Sequence, residues 1–171
     1  MPRDLVIRKR AVESDPWRVV GLVADELAQP LPDGPVLVPL AYWKEHRAEL
    51  VARGSVGVWL APTDEPRELA GDLASLALVA VHFPKFGDGR GYSTAFLLRT
   101  RHGYKGELRA FGDIGRDHLF QLARVGFDSY VLPERYDPYA ALASFDDFSV
   151  KYQGSADDPA PLFRKRATAT P

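Results

Sequence analysis

At 171 residues, with 46% apolar and 26% charged side chains, the chain has the size and composition of one soluble globular domain. Its 22 basic residues nearly balance 23 acidic ones, which disfavours nucleic acid or a membrane surface recognised by bulk charge. There is no cysteine, so disulfides, thiol catalysis, thiolate zinc and cysteine-held iron–sulfur clusters are excluded together.

The first 17 residues alternate charge and aliphatics too finely for a signal peptide, and no apolar run approaches the ~20 residues that span a bilayer. A cytoplasmic protein is expected. Residues 5–10 (LVIRKR) read as a short strand. Pro16 and Trp17 open a helical stretch to Leu27, and Pro30, Pro32, Asp33, Gly34 and Pro35 then make a loop. Five β-rich runs follow: 36–40 (VLVPL), 56–60 (VGVWL), 78–83 (LVAVHF), 108–111 (LRAF) and 129–132 (SYVL). Their spacing leaves room for one returning helix each. Trp43, Leu50 and Val51 give the first helical face, with Gly54 as its C-terminal cap. Leu69, Leu73, Leu76 and Ala77 give a second, and Leu119, Leu122 and Ala123 ahead of Gly126 another. Residues 149–154 (SVKYQG) are briefly strand-like, and 155–171 form a polar, mobile tail whose Arg164, Lys165 and Arg166 are solvated charge, with a docking peptide as the alternative.

These elements predict an α/β fold: a mainly parallel sheet of about five βα units with helices packed against it. An open doubly wound sheet is expected, with a partial barrel as the alternative, since five units are too few for a complete eight-fold barrel. Residues 1–35 would form an N-terminal strand, helix and loop, 36–154 the core domain, and 155–171 the tail. Exposed edge strands suggest a homodimer.

In such sheets ligands gather beyond the carboxyl ends of the strands. There the third core strand runs into Lys85, Gly87, Asp88, Gly89, Arg90, Gly91, Tyr92 and Ser93. Three glycines permit positive φ and close backbone approach, while Lys85 and Arg90 supply positive charge. Ser93 stands ready to cap the next helix. A phosphate, sulfite, sulfate or carboxylate suits this loop. The spacing matches neither dinucleotide nor ATP phosphate-loop patterns, so the cofactor is unknown. The fourth strand ends at Asp113, an N-cap, a general base or a partner of Arg90, with Arg116 and His118 just beyond. No histidine pair has metal-ligand spacing, and no metal site is assigned. A rival reading keeps a barrel-like enzyme that abstracts a proton beside a carboxylate or carbonyl, with Lys85 as base or electrophile and Asp88 and Asp113 holding a metal. A third keeps a non-catalytic scaffold.

Residues 83–113 (FPKFGDGRGYSTAFLLRTRHGYKGELRAFGD), 116–130 (RDHLFQLARVGFDSY) and 148–154 (FSVKYQG) resemble a bacterial family of unknown function described as oxidoreductases of sulfite reduction. The resemblance runs from about Val36 onward. It departs at His118, where glutamine is the family's usual residue. It implies a role in assimilatory sulfur metabolism, with a sulfite reductase haemoprotein as partner. Six-electron reduction of sulfite needs cofactors that a cysteine-free chain without a flavin or nicotinamide fingerprint does not bind by known motifs. An accessory protein carrying an anion site is therefore the expectation.

Overall fold

The five β-rich runs form consecutive parallel strands in the computed structural model, which describes residues 4–164. They are β4 (Val36–Pro39), β5 (Val56–Leu60), β6 (Leu78–Phe83), β7 (Glu107–Gly112) and β8 (Ser129–Val131). Three more precede them: β1 (Leu5–Arg8), β2 (Ala11–Ser14) and β3 (Arg18–Val19). The helices are α1 (Leu40–Arg53), α2 (Arg90–Thr100), α3 (Leu119–Val125) and the short α4 (Pro138–Ala141). The Arg164–Lys165–Arg166 cluster and the end of the tail lie outside the described residues but for Arg164.

The sheet runs β2-β1-β8-β7-β6-β5-β4-β3. β1 is antiparallel to both neighbours, and every other pairing is parallel. A doubly wound sheet reverses its strand order at a switch point, whereas β3 to β8 follow chain order without reversal. Right-handed crossovers that always step the same way place their helices on one face. Accordingly Trp43 and Leu50 of α1, Ala95 and Leu98 of α2, and Leu119 and Leu122 of α3 share one core with Val58, Val79, Val81, Leu108 and Ala110. The open doubly wound expectation is corrected to a curled half-barrel.

Among the described residues, no helix covers the other face. Leu37, Trp59, Leu78, Ala80 and Phe111 cluster there, with Trp17, Val19 and Val131 packed against them. Curling buries that surface. Eight strands laid flat would hold the outer two roughly 34 Å apart. Yet β2 and β3, the two edges, are joined by only Asp15, Pro16 and Trp17, a link that spans at most about 14 Å.

Asp15 also anchors that link. Arg109, on the concave face of β7, is 1% exposed and donates from Nη1 to both Asp15 oxygens at 3.0 and 2.9 Å. Its Nη2 reaches Glu107 at 2.9 Å and its Nε the Ser129 hydroxyl at 3.1 Å. Glu107 in turn accepts from Arg8 at 3.0 Å, and Arg8 donates to Glu13 at 2.7 Å. A chain of five charged groups thus ties β7, β1, β2 and the closing link.

Three expected elements come out differently. Residues 17–27 hold β3 and then turns, with a 3-10 turn at Glu26–Ala28, because Trp17 and Val19 pack on the concave face as a strand edge. Leu69, Leu73 and Leu76 are buried as their spacing requires, but Leu69 and Leu73 sit on two 3-10 turns, Pro66–Leu69 and Leu73–Ser75, separated by Ala70, Gly71 and Asp72, and Leu76 follows the second in extended backbone. Residues 149–154 form no strand. None of the described helices is long and apolar enough to cross a membrane.

Candidate functional site at the carboxyl edge

β6 and β7 pair in register to their ends, His82 opposite Phe111 and Phe83 opposite Gly112. Beyond that point the chains stay tied. The Asp113 N–H donates to the Phe83 carbonyl at 2.6 Å, and the Phe86 N–H donates to Asp113 Oδ2 at 3.0 Å. Gly112 makes this turn with φ of +107°, and a Cβ there would sit 2.4 Å from the Phe83 oxygen. Only glycine satisfies both constraints.

The loop that follows β6 is held by its own ion pair. Arg90 donates to Asp88 from Nε at 2.9 Å and from Nη2 at 2.7 Å, and that contact holds the Asp88 carboxyl down to about 2. None of Gly87, Gly89 and Gly91 uses the positive φ that glycine permits. Gly87 and Gly89 have open space where a Cβ would stand, whereas at Gly91 a Cβ would meet the Phe83 ring at 2.4 Å. Gly91 is thus a packing glycine. The residue capping α2 is Gly89; Ser93 lies within its first turn, exposed. Tyr92 is half-buried, edge-on to Phe83 at 5.8 Å, and burial pushes its phenol up.

Asp113 pairs with Arg135, not with Arg90, and the Arg135 hydrogen bond holds its carboxyl below the usual range. Nor does Asp113 cap the helical turn at Arg116–His118. That position is Gly115, whose N–H donates to His118 Nδ1 at 2.9 Å. A side-chain acceptor three residues into a helix is a role glutamine fills equally well, so the departure at 118 keeps its structural job. The His118 ring also leans on Phe86 at 4.3 Å. Lys85 and Arg116 are exposed and, among the described residues, have no hydrogen-bonded or ion-pair partner.

Two groups at this edge carry more than their sequence setting suggested. Arg135 comes from the loop after β8 and reaches back to Asp113. His82 is the last but one residue of β6. It lies on the concave face, stacked on Phe111 at 4.9 Å and edge-on to Trp59 at 5.7 Å. No hydrogen bond reaches its ring among the described residues, and desolvation lowers its pKa below 6.5. At neutral pH it is an uncharged imidazole with both nitrogens uncommitted.

Fold and edge together define a singly wound α/β half-barrel whose β6 and β7 ends carry two paired arginines, Arg90 and Arg135, and the exposed cations Lys85 and Arg116, with His82 stacked between Phe111 and Trp59 on the concave face. The chain belongs to the family described as "Bacterial protein of unknown function (DUF934)", whose pattern matches residues 57–163. That stretch holds the whole β6–β7 edge and leaves β1 to β4 outside it. Comparison with curated proteins finds no match.

Proposed function

We propose that the protein is an accessory factor of sulfite reduction that holds a small oxyanion at the carboxyl edge of β6 and β7. The observation that carries this reading is the side-by-side ending of the two strands, tied by the Phe86 N–H to Asp113 bond. It brings the loop of Lys85 and Arg90 against the turn of Asp113, Arg116 and His118. Lys85 and Arg116 are uncommitted cations there, and Arg90 is held in a fixed pose by Asp88. The tie to sulfite reduction and to its haemoprotein rests on the resemblance of residues 83–154. Calorimetric titration with sulfite, sulfate and inorganic phosphate tests the site. Lys85→Ala/Arg90→Ala should weaken binding at least tenfold, because each charge-assisted contact is worth about 1.5–3 kcal/mol when desolvated. A folded double variant that binds all three as before would remove the site.

A second reading, proton abstraction beside a carboxylate or carbonyl, is favoured by one observation: the neutral, unpartnered imidazole of His82. Asp113 is a poorer base, since Arg135 stabilises its ionised form. Exchange of the α-protons of small carboxylates into deuterium oxide, lost in His82→Gln, would support this reading over simple binding.

A further inference from the structure

The strand-like alternation of residues 148–152 joins no strand, and its apolar members stay in solvent. Phe148, Val150 and Tyr152 are 61%, 65% and 64% exposed. The Leu162 N–H donates to the Tyr152 carbonyl at 3.1 Å and so brings Phe163, 58% exposed, to the same place. A folded domain seldom leaves four large apolar side chains together in water without a partner.

This patch adjoins an open strand edge. Arg10, the residue before β2, lines one cleft with Phe145 and Phe148, lies over the Phe145 ring at 5.4 Å and pairs with Asp146 at 2.8 Å. β2 is the terminal strand on that side of the sheet. The Asp15 N–H donates inward to the Asp4 carbonyl at 2.8 Å. Alternation along an antiparallel strand therefore turns the N–H and C=O of Ser14 and Val12 outward. Among the described residues, nothing pairs with them. Natural edge strands are often guarded by lysine or proline. β2 (AVES) has neither, and its one charged side chain, Glu13, is held by Arg8 at 2.7 Å.

We infer that β2 and this patch form the two-fold interface of a homodimer: β2 pairs antiparallel with β2 of a second copy, and the two apolar patches close over the joint. An antiparallel edge is its own complement across a two-fold axis. Charge favours a second copy over an acidic or a basic partner. Residues 8–13 and 145–158 together with Arg124 hold five cations and five carboxylates. Arg10 is matched by Asp146, and Lys151 and Arg124 by Asp157. Such a surface selects neither sign and does not repel its own copy. Area agrees: four exposed side chains of roughly 100 Å² each supply about half of the ~800 Å² per partner in a standard interface, and the strand edge adds to it. The β1–β2 turn stands at the amino edge of the sheet, where the Lys9 N–H bonds the Asp128 carbonyl just before β8. The dimer thus leaves the carboxyl edge at Lys85 open.

Sedimentation of the full chain tests the inference. It should run at twice 19.0 kDa, with a dimer Kd on the order of 10 μM or below. Val150→Lys and Ser14→Pro should each weaken the dimer by about tenfold or more. Val150 is exposed, and the Ser14 N–H points out of the ladder, where proline is accepted. Hydrogen exchange reads the edge without any substitution, and decides if Ser14→Pro does not fold. The amides of Val12 and Ser14 should slow as concentration passes the Kd, while that of Glu13, which points into the sheet, changes much less. A chain that stays monomeric at roughly 200 μM would overturn the inference. So would a dimer that either folded variant leaves as tight as before, or exchange at Val12 and Ser14 that ignores concentration.

Discussion

Arg109→Ala is the perturbation that most directly tests how the half-barrel is closed. The guanidinium is 1% exposed, and its partners Asp15 and Glu107 are 9% and 19% exposed in their side chains. Removing it strands one carboxylate on the closing link and another on β7, both in a poorly hydrated interior. Breaking a buried pair on one side costs about 3–5 kcal/mol, a large share of the roughly 5–15 kcal/mol that holds a domain folded. With a urea m-value near 2 kcal/mol/M, the midpoint should fall by about 1.5–2.5 M. Neutralising the set together, as Arg109→Met with Asp15→Asn and Glu107→Gln, should recover most of that loss. Burial pushes the Glu107 carboxyl up, but Ser129, Arg109 and Arg8 outweigh it and leave it below its ordinary 4.5. The folded state therefore binds that proton less well than the unfolded chain. Its contribution is full above pH 4.5 and is lost as pH falls through the lower folded value. Arg109→Ala should flatten this acid limb. A midpoint shift under about 0.5 M in urea, or an unchanged acid limb, would show that the buried ionic chain does not secure the link.

The glycines offer a paired comparison: Gly112→Ala should cost about 2 kcal/mol or more through its positive φ and the Phe83 carbonyl, while Gly87→Ala leaves the thermal midpoint unchanged. His118→Gln should keep the turn cap and melt within a degree or so of the parent, whereas His118→Ala should lose about 1 kcal/mol. In proton NMR, His82 should titrate below 6.5, since burial disfavours its charged form. Unfolding stability should accordingly decline as pH drops below 6.5, and His82→Phe should remove that slope.

The strands were legible because their local code is strong. Runs such as LVAVHF are apolar on both faces, which suits a parallel strand covered on both sides. Strand order is a different matter. It depends on which neighbour each strand chooses, and nothing within a βα unit records whether the next step continues or reverses. The same holds for the polar contacts that define the molecule. Arg109 meets Asp15 across 94 positions of sequence, and Asp113 meets Arg135 across 22. Spacing rules reach three or four residues and could not pair them. The contact between the 85–91 loop and Asp113 was foreseen because adjacent parallel strands end at the same edge. Within that loop Asp88 neutralises Arg90.

One-sided winding explains where this chain keeps its charge. With the helices of the described residues on the convex face, the concave face has to be sealed by the chain itself, and the Asp15–Trp17 link does so with Arg109 beneath it. The buried ionic chain and the aromatic cluster share that face, with Glu107 and Arg109 preceding Phe111 along β7. Moving toward the carboxyl end of β7, the lining passes from fully paired ions to Phe111, beside which stands the unpaired imidazole of His82. Substitutions at Arg109 and Asp15 should therefore be read out as stability. Those at His82 should be read out as ligand affinity or turnover, with little loss of fold, because among the described residues no hydrogen bond depends on that ring.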